Sequence, residues 1–231
     1  MHKKIKLSIF LFFLFLNLSL FAQNFERISN RQGFNQNTIN AIQQDKYGFL
    51  WYATPNGLIR YDGYDFKTFT TQTKGKGAIS SNNITDIFND KNGLLWIGTG
   101  AGLNVYVPSL ERFYTIKLNS HFNIVKIEQD SNGFIWFSGN KHLHRIKVID
   151  IVEGLFDVSE NILSTDILSK NLWINTFSLE SKSSIVLGTN EGLKRLTYQY
   201  ENKKFEISIT VFKDFYDKTI TKIFKDEGNF W

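Results

Sequence analysis

Apolar residues in this chain fall in short runs, each closed by a small polar group that holds Asp or Asn together with Gly. Such runs suit strands, and Asp and Gly suit the turns between them: Asp bonds its own backbone, and Gly accepts a positive φ. The first full stretch reads as strands over residues 38–44, 49–54, 58–62 and 65–70, with turns at Asp45 to Gly48 and Pro55 to Gly57. Apolar and polar residues do not alternate cleanly. Isoleucines recur instead in pairs three apart: Ile39/Ile42, Ile84/Ile87, Ile124/Ile127 and Ile220/Ile223. In a regular strand that spacing puts the two on opposite faces, which predicts sheets packed on both sides.

The pattern repeats. Asp45, Gly48 and Trp51 return as Asp90, Gly93 and Trp96, then as Asp130, Gly133 and Trp136; a shortened copy holds Asp226, Gly228 and Trp231. A downstream unit of small residue, Thr, two-residue turn, Gly and Leu closes with Gly57-Leu58, Gly102-Leu103 and Gly192-Leu193, with Ser138-Gly139 and His142 standing in the weakest copy. In the fourth copy Val186 occupies the Trp column, and the columns recur at a mean spacing of 45 residues. A period of about 40–50 residues with strand content is that of β-propeller blades. The expected fold is therefore all-β, an incomplete β-propeller of about 4 to 5 four-stranded blades, with blade motifs around residues 37–70, 82–116, 123–147, 171–200 and 219–231. One Trp per repeat at one column reads as core packing. The small residue two places further on (Ala53, Gly98, Ser138, Gly188) reads as crowding near a central channel.

The front end differs. Lys3, Lys4 and Lys6 precede a 15-residue apolar run at 7–21, followed by Ala22. That run is shorter than the roughly 20 residues a spanning helix needs, so residues 1–22 read as a signal peptide and 23–231 as the exported body. Its removal lowers the net charge of +5 to 24 basic against 22 acidic side chains. No Lys/Arg block remains, so no nucleic-acid contact is expected. The chain has no Cys and four His, which excludes a disulfide framework, a thiolate metal site and a Cys nucleophile.

The first repeat, from Gln36 through Ile39, Ile42, Asp45, Gly48, Trp51, Thr54 and Gly57 to Arg60, Tyr61, Asp62, Gly63, Tyr64 and Phe66, resembles the first repeat of the two-component regulator propeller. Residues 25–29 and 31–34 resemble that family's opening segment. The resemblance implies the periplasmic sensor region of a hybrid two-component system of Bacteroidetes type. The parent would be a homodimer anchored in the inner membrane, with further blades of a seven-bladed ring and C-terminal histidine-kinase signalling domains. Residues 23–231 hold too few repeats for such a ring, so the chain reads as an N-terminal segment. Its open faces would favour aggregation, and the strand at 25–29 would complete the last blade in the parent.

Candidate chemistry is sparse. The expected function is non-catalytic sensing of a small-molecule or glycan ligand, with no cofactor and no metal. The densest polar-aromatic cluster, Arg60, Tyr61 and Tyr64, supplies the ligand-binding candidates; the plain alternative has Arg60 solvated, Tyr61 packed between blades and Asp62-Gly63 in a turn. His142 and His144 have the i,i+2 spacing of one strand face, but no third ligand is near in sequence, so they read as a solvated strand edge. The Asp-x-x-Gly-x-x-Trp frame differs from the Asp-box of sialidase propellers in its Asp-to-Gly spacing, which argues against a carbohydrate-active enzyme. Two further readings remain: an exported scaffold for protein–protein contacts, and a sensor joined to a transcription-factor or diguanylate cyclase output.

Overall fold

A computed structural model describes residues 34–74, 77–118, 123–139, 141–152, 155–164, 172–201, 204–226 and 229–231. The signal segment and the strand expected at 25–29 lie outside the described residues. Gln36–Trp231 forms one compact unit.

Each repeat folds into its own antiparallel meander. The first sheet is β1 (Ala41–Gln44), β2 (Leu50–Thr54), β3 (Gly57–Tyr61) and β4 (Phe66–Phe69), paired in that order. The second is β5 (Ile84–Asn89), β6 (Leu95–Thr99), β7 (Gly102–Val107) and β8 (Arg112–Thr115). The third is β9 (Ile124–Gln129), β10 (Ile135–Gly139), β11 (His142–Val152) and β12 (Leu155–Ser164), so it continues beyond the boundary at 147 that its motif suggested. The fourth is β13 (Ile174–Ser181), β14 (Ser184–Thr189), β15 (Gly192–Glu201) and β16 (Lys204–Val211). A two-stranded hairpin, β17 (Lys225–Asp226) and β18 (Asn229–Phe230), carries the last motif. The first strands β1, β5, β9 and β13 lie side by side in succession. These meanders, sharing an axis at their first strands, are propeller blades.

The Asp–Gly–Trp frame is one hydrogen-bonded device used three times. One oxygen of Asp45 accepts the Tyr47 and Phe49 amides at 2.9 and 3.1 Å, and the other accepts the Trp51 indole N–H at 2.8 Å. Asp90 holds Asn92, Leu94 and Trp96 at 2.9 Å each. Asp130 repeats this with Asn132, Phe134 and Trp136. Gly48, Gly93 and Gly133 close the turns with φ of 89°, 80° and 85°, where a side chain would be strained. Thr54, Thr99 and Thr189 each donate a hydroxyl to the carbonyl of the Gly three residues on.

The tryptophans fill the seams. Trp51 packs with Ile84, Ile87, Ile97 and Tyr106 of the next sheet. Trp96 packs with Ile124, Ile127 and Phe137, and Trp136 with Ile174, Phe177 and Leu196. All three indoles are fully buried. Each removes about 200 Å² from water, a gross gain of about 5 kcal/mol at 25 cal/mol per Å². Trp231 differs: it is 78% exposed, and among the described residues no sheet lies over it. Ile39 and Ile42 are exposed, and among the described residues no Trp covers them as Trp51 covers Ile84 and Ile87.

Two expectations need correction. The isoleucines of a pair share one face, since both Ile84 and Ile87 lie in the first seam and both Ile124 and Ile127 in the second. A β-bulge is the cause: the register shifts between Ile84 and Asp86, between the partners of Ile124 and Lys126, and between Ile174 and Thr176. One extra residue turns a spacing of three into an effective two. The crowding at the small column also has another source. A Cβ on Gly98 would meet Ile124 Cγ2 at 2.6 Å, and one on Gly188 would meet Ile220 Cγ2 and Thr176 Cγ2 at 2.7 Å. The next blade's first isoleucine sets the limit across the seam at Gly98, and shares it with Thr176 of the same blade at Gly188.

Candidate functional site

Two residues stand between the apolar pair of each frame, set off by the bulge in the second, third and fourth repeats. Around the axis these are Asn40-Ala41, Thr85-Asp86, Val125-Lys126, Asn175-Thr176 and Thr221-Lys222. All ten border one cavity of about 370 Å³, reached by all five repeats. The frame that repeats builds the seams, and the pair that varies lines the axis. In the fourth repeat the apolar frame is Ile174 and Phe177, a match hidden by the Phe for Ile exchange.

The axial residues also tie neighbouring sheets together. Asn40 Nδ2 donates to the Ile84 carbonyl at 2.6 Å, and Asn175 Nδ2 to the Ile220 carbonyl at 3.1 Å. Asp86 Oδ2 accepts the Ile127 amide at 2.7 Å and lies 3.6 Å from Lys126 Nζ. Further from the axis, Glu128 accepts the Leu179 amide at 2.8 Å, and Lys225 Nζ donates to the Leu179 carbonyl at 2.7 Å. Burial raises Asp86 above the ordinary carboxylate range, against the pull of Lys126 and the Ile127 amide. Burial likewise raises Glu128, against the Leu179 amide and Lys126. Thr85 Oγ1 is buried without a hydrogen-bond partner. Lys222 is exposed and makes no ion pair among the described residues.

The sequence candidates do not converge. Arg60 is half-buried with its guanidinium 4.5 Å from the Phe49 ring centroid and 5.8 Å from that of Trp51. Its charge also reaches Tyr106 of the next sheet, where it opposes the rise that burial gives that hydroxyl, so it belongs to a seam and is not a solvated side chain. Arg145 repeats the arrangement over Phe134 and Trp136. Tyr61 stacks on Phe66 at 4.4 Å and donates to the Gly63 carbonyl. Tyr64 is 88% exposed in the β3–β4 turn, where Asp62 accepts the Tyr64 and Asp65 amides; these bonds hold the Asp62 carboxyl below its ordinary value. The structure corrects the reading of His144: it is buried on the interior strand β11 and stacks on Phe137 with centroids 5.1 Å apart. His142 meets it edge-on at 6.0 Å. Among the described residues no group of three or more His, Cys, Asp and Glu could hold a metal.

Four blade-like meanders around a polar axis place the chain among β-propellers. Residues 33–56 and 78–101 match the family described as Two component regulator propeller, which bears out the resemblance read from the first repeat. A 72-residue stretch is 39% identical to "Histidine kinase P4" of Formosa agariphila, covering 29% of this chain and 5% of that protein. Among solved structures, one described as the extracellular domain of a hybrid two component system of B. thetaiotaomicron superposes with a TM-score of 0.69 at 25% identity, over 89% of this chain and 28% of that one. PorZ of Porphyromonas gingivalis, a surface component of the type-IX secretion system, superposes with a TM-score of 0.58 at 13% identity over 82% of this chain and 30% of that one, and shows the fold alone. The chain thus spans little more than a quarter of the solved relative with the stronger likeness and a small part of the curated one.

Proposed function

We propose that the chain is the exported, periplasmic sensing segment of a two-component signal-transduction protein. It acts by binding a small-molecule or glycan ligand and not by catalysis. The observation that carries this reading is the likeness to the extracellular domain of a hybrid two component system over 89% of the chain, joined to the two family repeats. Output then belongs to other domains of the parent, which is anchored in the inner membrane and works as a homodimer. The geometry supports a binding role: a polar cavity sits where all the repeats meet, fixed by inter-sheet hydrogen bonds.

The test has two parts. Alkaline phosphatase fused after Trp231 in a Gram-negative host should be active, reporting export. In the native host, removing residues 34–231 from the parent gene should abolish a transcriptional response to one of a panel of saccharides. An inactive phosphatase fusion, or a response that survives the deletion, refutes the proposal.

A further inference from the structure

Around the axis the second residue of each varying pair runs Ala41, Asp86, Lys126, Thr176, Lys222. Asp86 and Lys126 are neighbours and satisfy each other at 3.6 Å. Thr176 comes next, on the strand adjacent to β9, and Lys222 follows it. Thr176 therefore stands between Lys126 and Lys222 in the order around the axis, and Lys222 makes no ion pair among the described residues. Counted over the cavity's charged side chains, Lys126 and Lys222 exceed Asp86 by one positive charge. The remaining polar lining is hydroxyl and amide. Thr85 Oγ1 is without a partner among the described residues, and Asn175 donates one amide N–H to Ile220, which leaves its other N–H as a donor and its oxygen as an acceptor. Groups that donate and accept in this way match the vicinal hydroxyls of a sugar, while an ammonium pair matches an oxyanion. The volume of about 370 Å³ lies within the range of small-molecule sites, about 300–1,000 Å³.

We propose that the axial cavity binds an acidic saccharide, its carboxylate or sulfate seated over Thr176 between Lys126 and Lys222 and its hydroxyls on Thr85 and Asn175. This inference rests on the sensing role proposed above and names the chemistry its site selects. The buried Asp86 carboxylate serves as a second acceptor for Lys126, which holds that ammonium at the axis in the absence of ligand. The position of the Lys126–Asp86 pair makes the site responsive, since an incoming oxyanion competes with Asp86 for one shared cation.

The test is titration calorimetry on the full chain with glucuronate, glucose 6-sulfate and glucose as probes. Glucuronate and the sulfate ester should bind saturably, and glucose about tenfold more weakly or less, since one charge-assisted hydrogen bond is worth about that factor. Lys222→Met should raise Kd about tenfold without changing the thermal midpoint, because the side chain is exposed and unpaired. Asp86→Asn combined with Lys126→Met avoids an orphaned buried charge and should have a similar effect on Kd. Lys182→Met, on the exposed β13–β14 turn, should leave binding unchanged. Glucose binding as well as glucuronate, no saturable binding by either acidic probe, or an unchanged Kd in Lys222→Met overturns the proposal. If the phosphatase fusion is active and the native response depends on residues 34–231, yet those variants bind as the parent does, the axial site is wrong and the sensing role stands.

Discussion

The Asp–Trp clasp can be broken in a graded way. Asp90 is nearly buried and accepts three hydrogen bonds, two from the backbone of its turn and one from the Trp96 indole. Asp90→Ala removes all three acceptors and leaves the Trp96 N–H buried without a partner. At about 1–3 kcal/mol for each bond to a charged acceptor or stranded donor, with partial relaxation of the turn, the loss is about 3–5 kcal/mol. Asp90→Asn is more selective. The amide oxygen retains the two backbone N–H groups, and its NH₂ faces the indole N–H, donor against donor, for about 2 kcal/mol. Trp96→Phe removes that indole N–H and shrinks the seam filler, so it costs about 1–3 kcal/mol by itself. In the Trp96→Phe background Asp90→Asn no longer meets the donor clash. The double-mutant cycle should therefore show a coupling of about 1–2 kcal/mol. Urea unfolding followed by Trp fluorescence gives the energies, with the slope held constant across variants. In a domain of this size 2 kcal/mol corresponds to about 4–8 °C in Tm. The same cycle at Asp130 and Trp136 should return the same coupling, because the indole bond there is also 2.9 Å. Energies that add within about 0.5 kcal/mol at both positions would refute the clasp.

Other perturbations separate seam from surface. Gly98→Ala drives a Cβ to 2.6 Å from Ile124 and should cost about 1–3 kcal/mol by thermal melting, with Gly188→Ala similar against Ile220 and Thr176. Arg60→Ala should lose about 1–2 kcal/mol through its contacts with Phe49, Trp51 and Tyr106, whereas Tyr64→Ala should leave the midpoint unchanged. The buried acid Asp86 gives a pH signature. Its carboxyl is raised above an ordinary value of 3.8, so the folded chain holds the proton more tightly than the unfolded chain does. Stability from this group is greatest below 3.8 and is lost as pH rises through the raised value. Relative to the parent sequence, Asp86→Asn should gain in Tm as pH rises above 3.8, and a difference that stays constant with pH would contradict the burial argument.

The frame was legible because it is built from residues with narrow roles. Only an acceptor at Asp45, Asp90 and Asp130 satisfies both the turn and the indole, and the glycines sit at positive φ. The isoleucine positions were legible but their faces were not, since a bulge leaves no mark in composition and alternation assumes a regular strand. Ile174 and Phe177 escaped notice because the seam needs apolar volume and not a particular side chain. His144 was misjudged for a related reason. A repeat that departs from the frame looks like a worn edge, yet β12 covers β11 and places the ring in the interior. The axial residues were illegible by a search for recurrence, because Asn40, Thr85, Val125, Asn175 and Thr221 share a position and little chemistry.

The bulge joins packing to function. Without the extra residue, the second apolar residue of each pair would leave the seam, and the Trp of the neighbouring sheet would lose part of its cover. With it, both apolar residues stay in the seam, and the inserted Thr85, Val125 or Asn175 borders the cavity beside Asp86, Lys126 or Thr176. The seam residues are held to shape by contacts such as Gly98 on Ile124, so substitution there is costly. The axial pairs are held by hydrogen bonds to the next sheet, by the Asp86–Lys126 ion pair and, at Thr176, by packing on Gly188. A single backbone irregularity thus divides β5, β9 and β13 into positions that must repeat and positions free to differ. It is the second set, brought together from all five repeats, that gives the axis its charge and its hydrogen-bonding capacity.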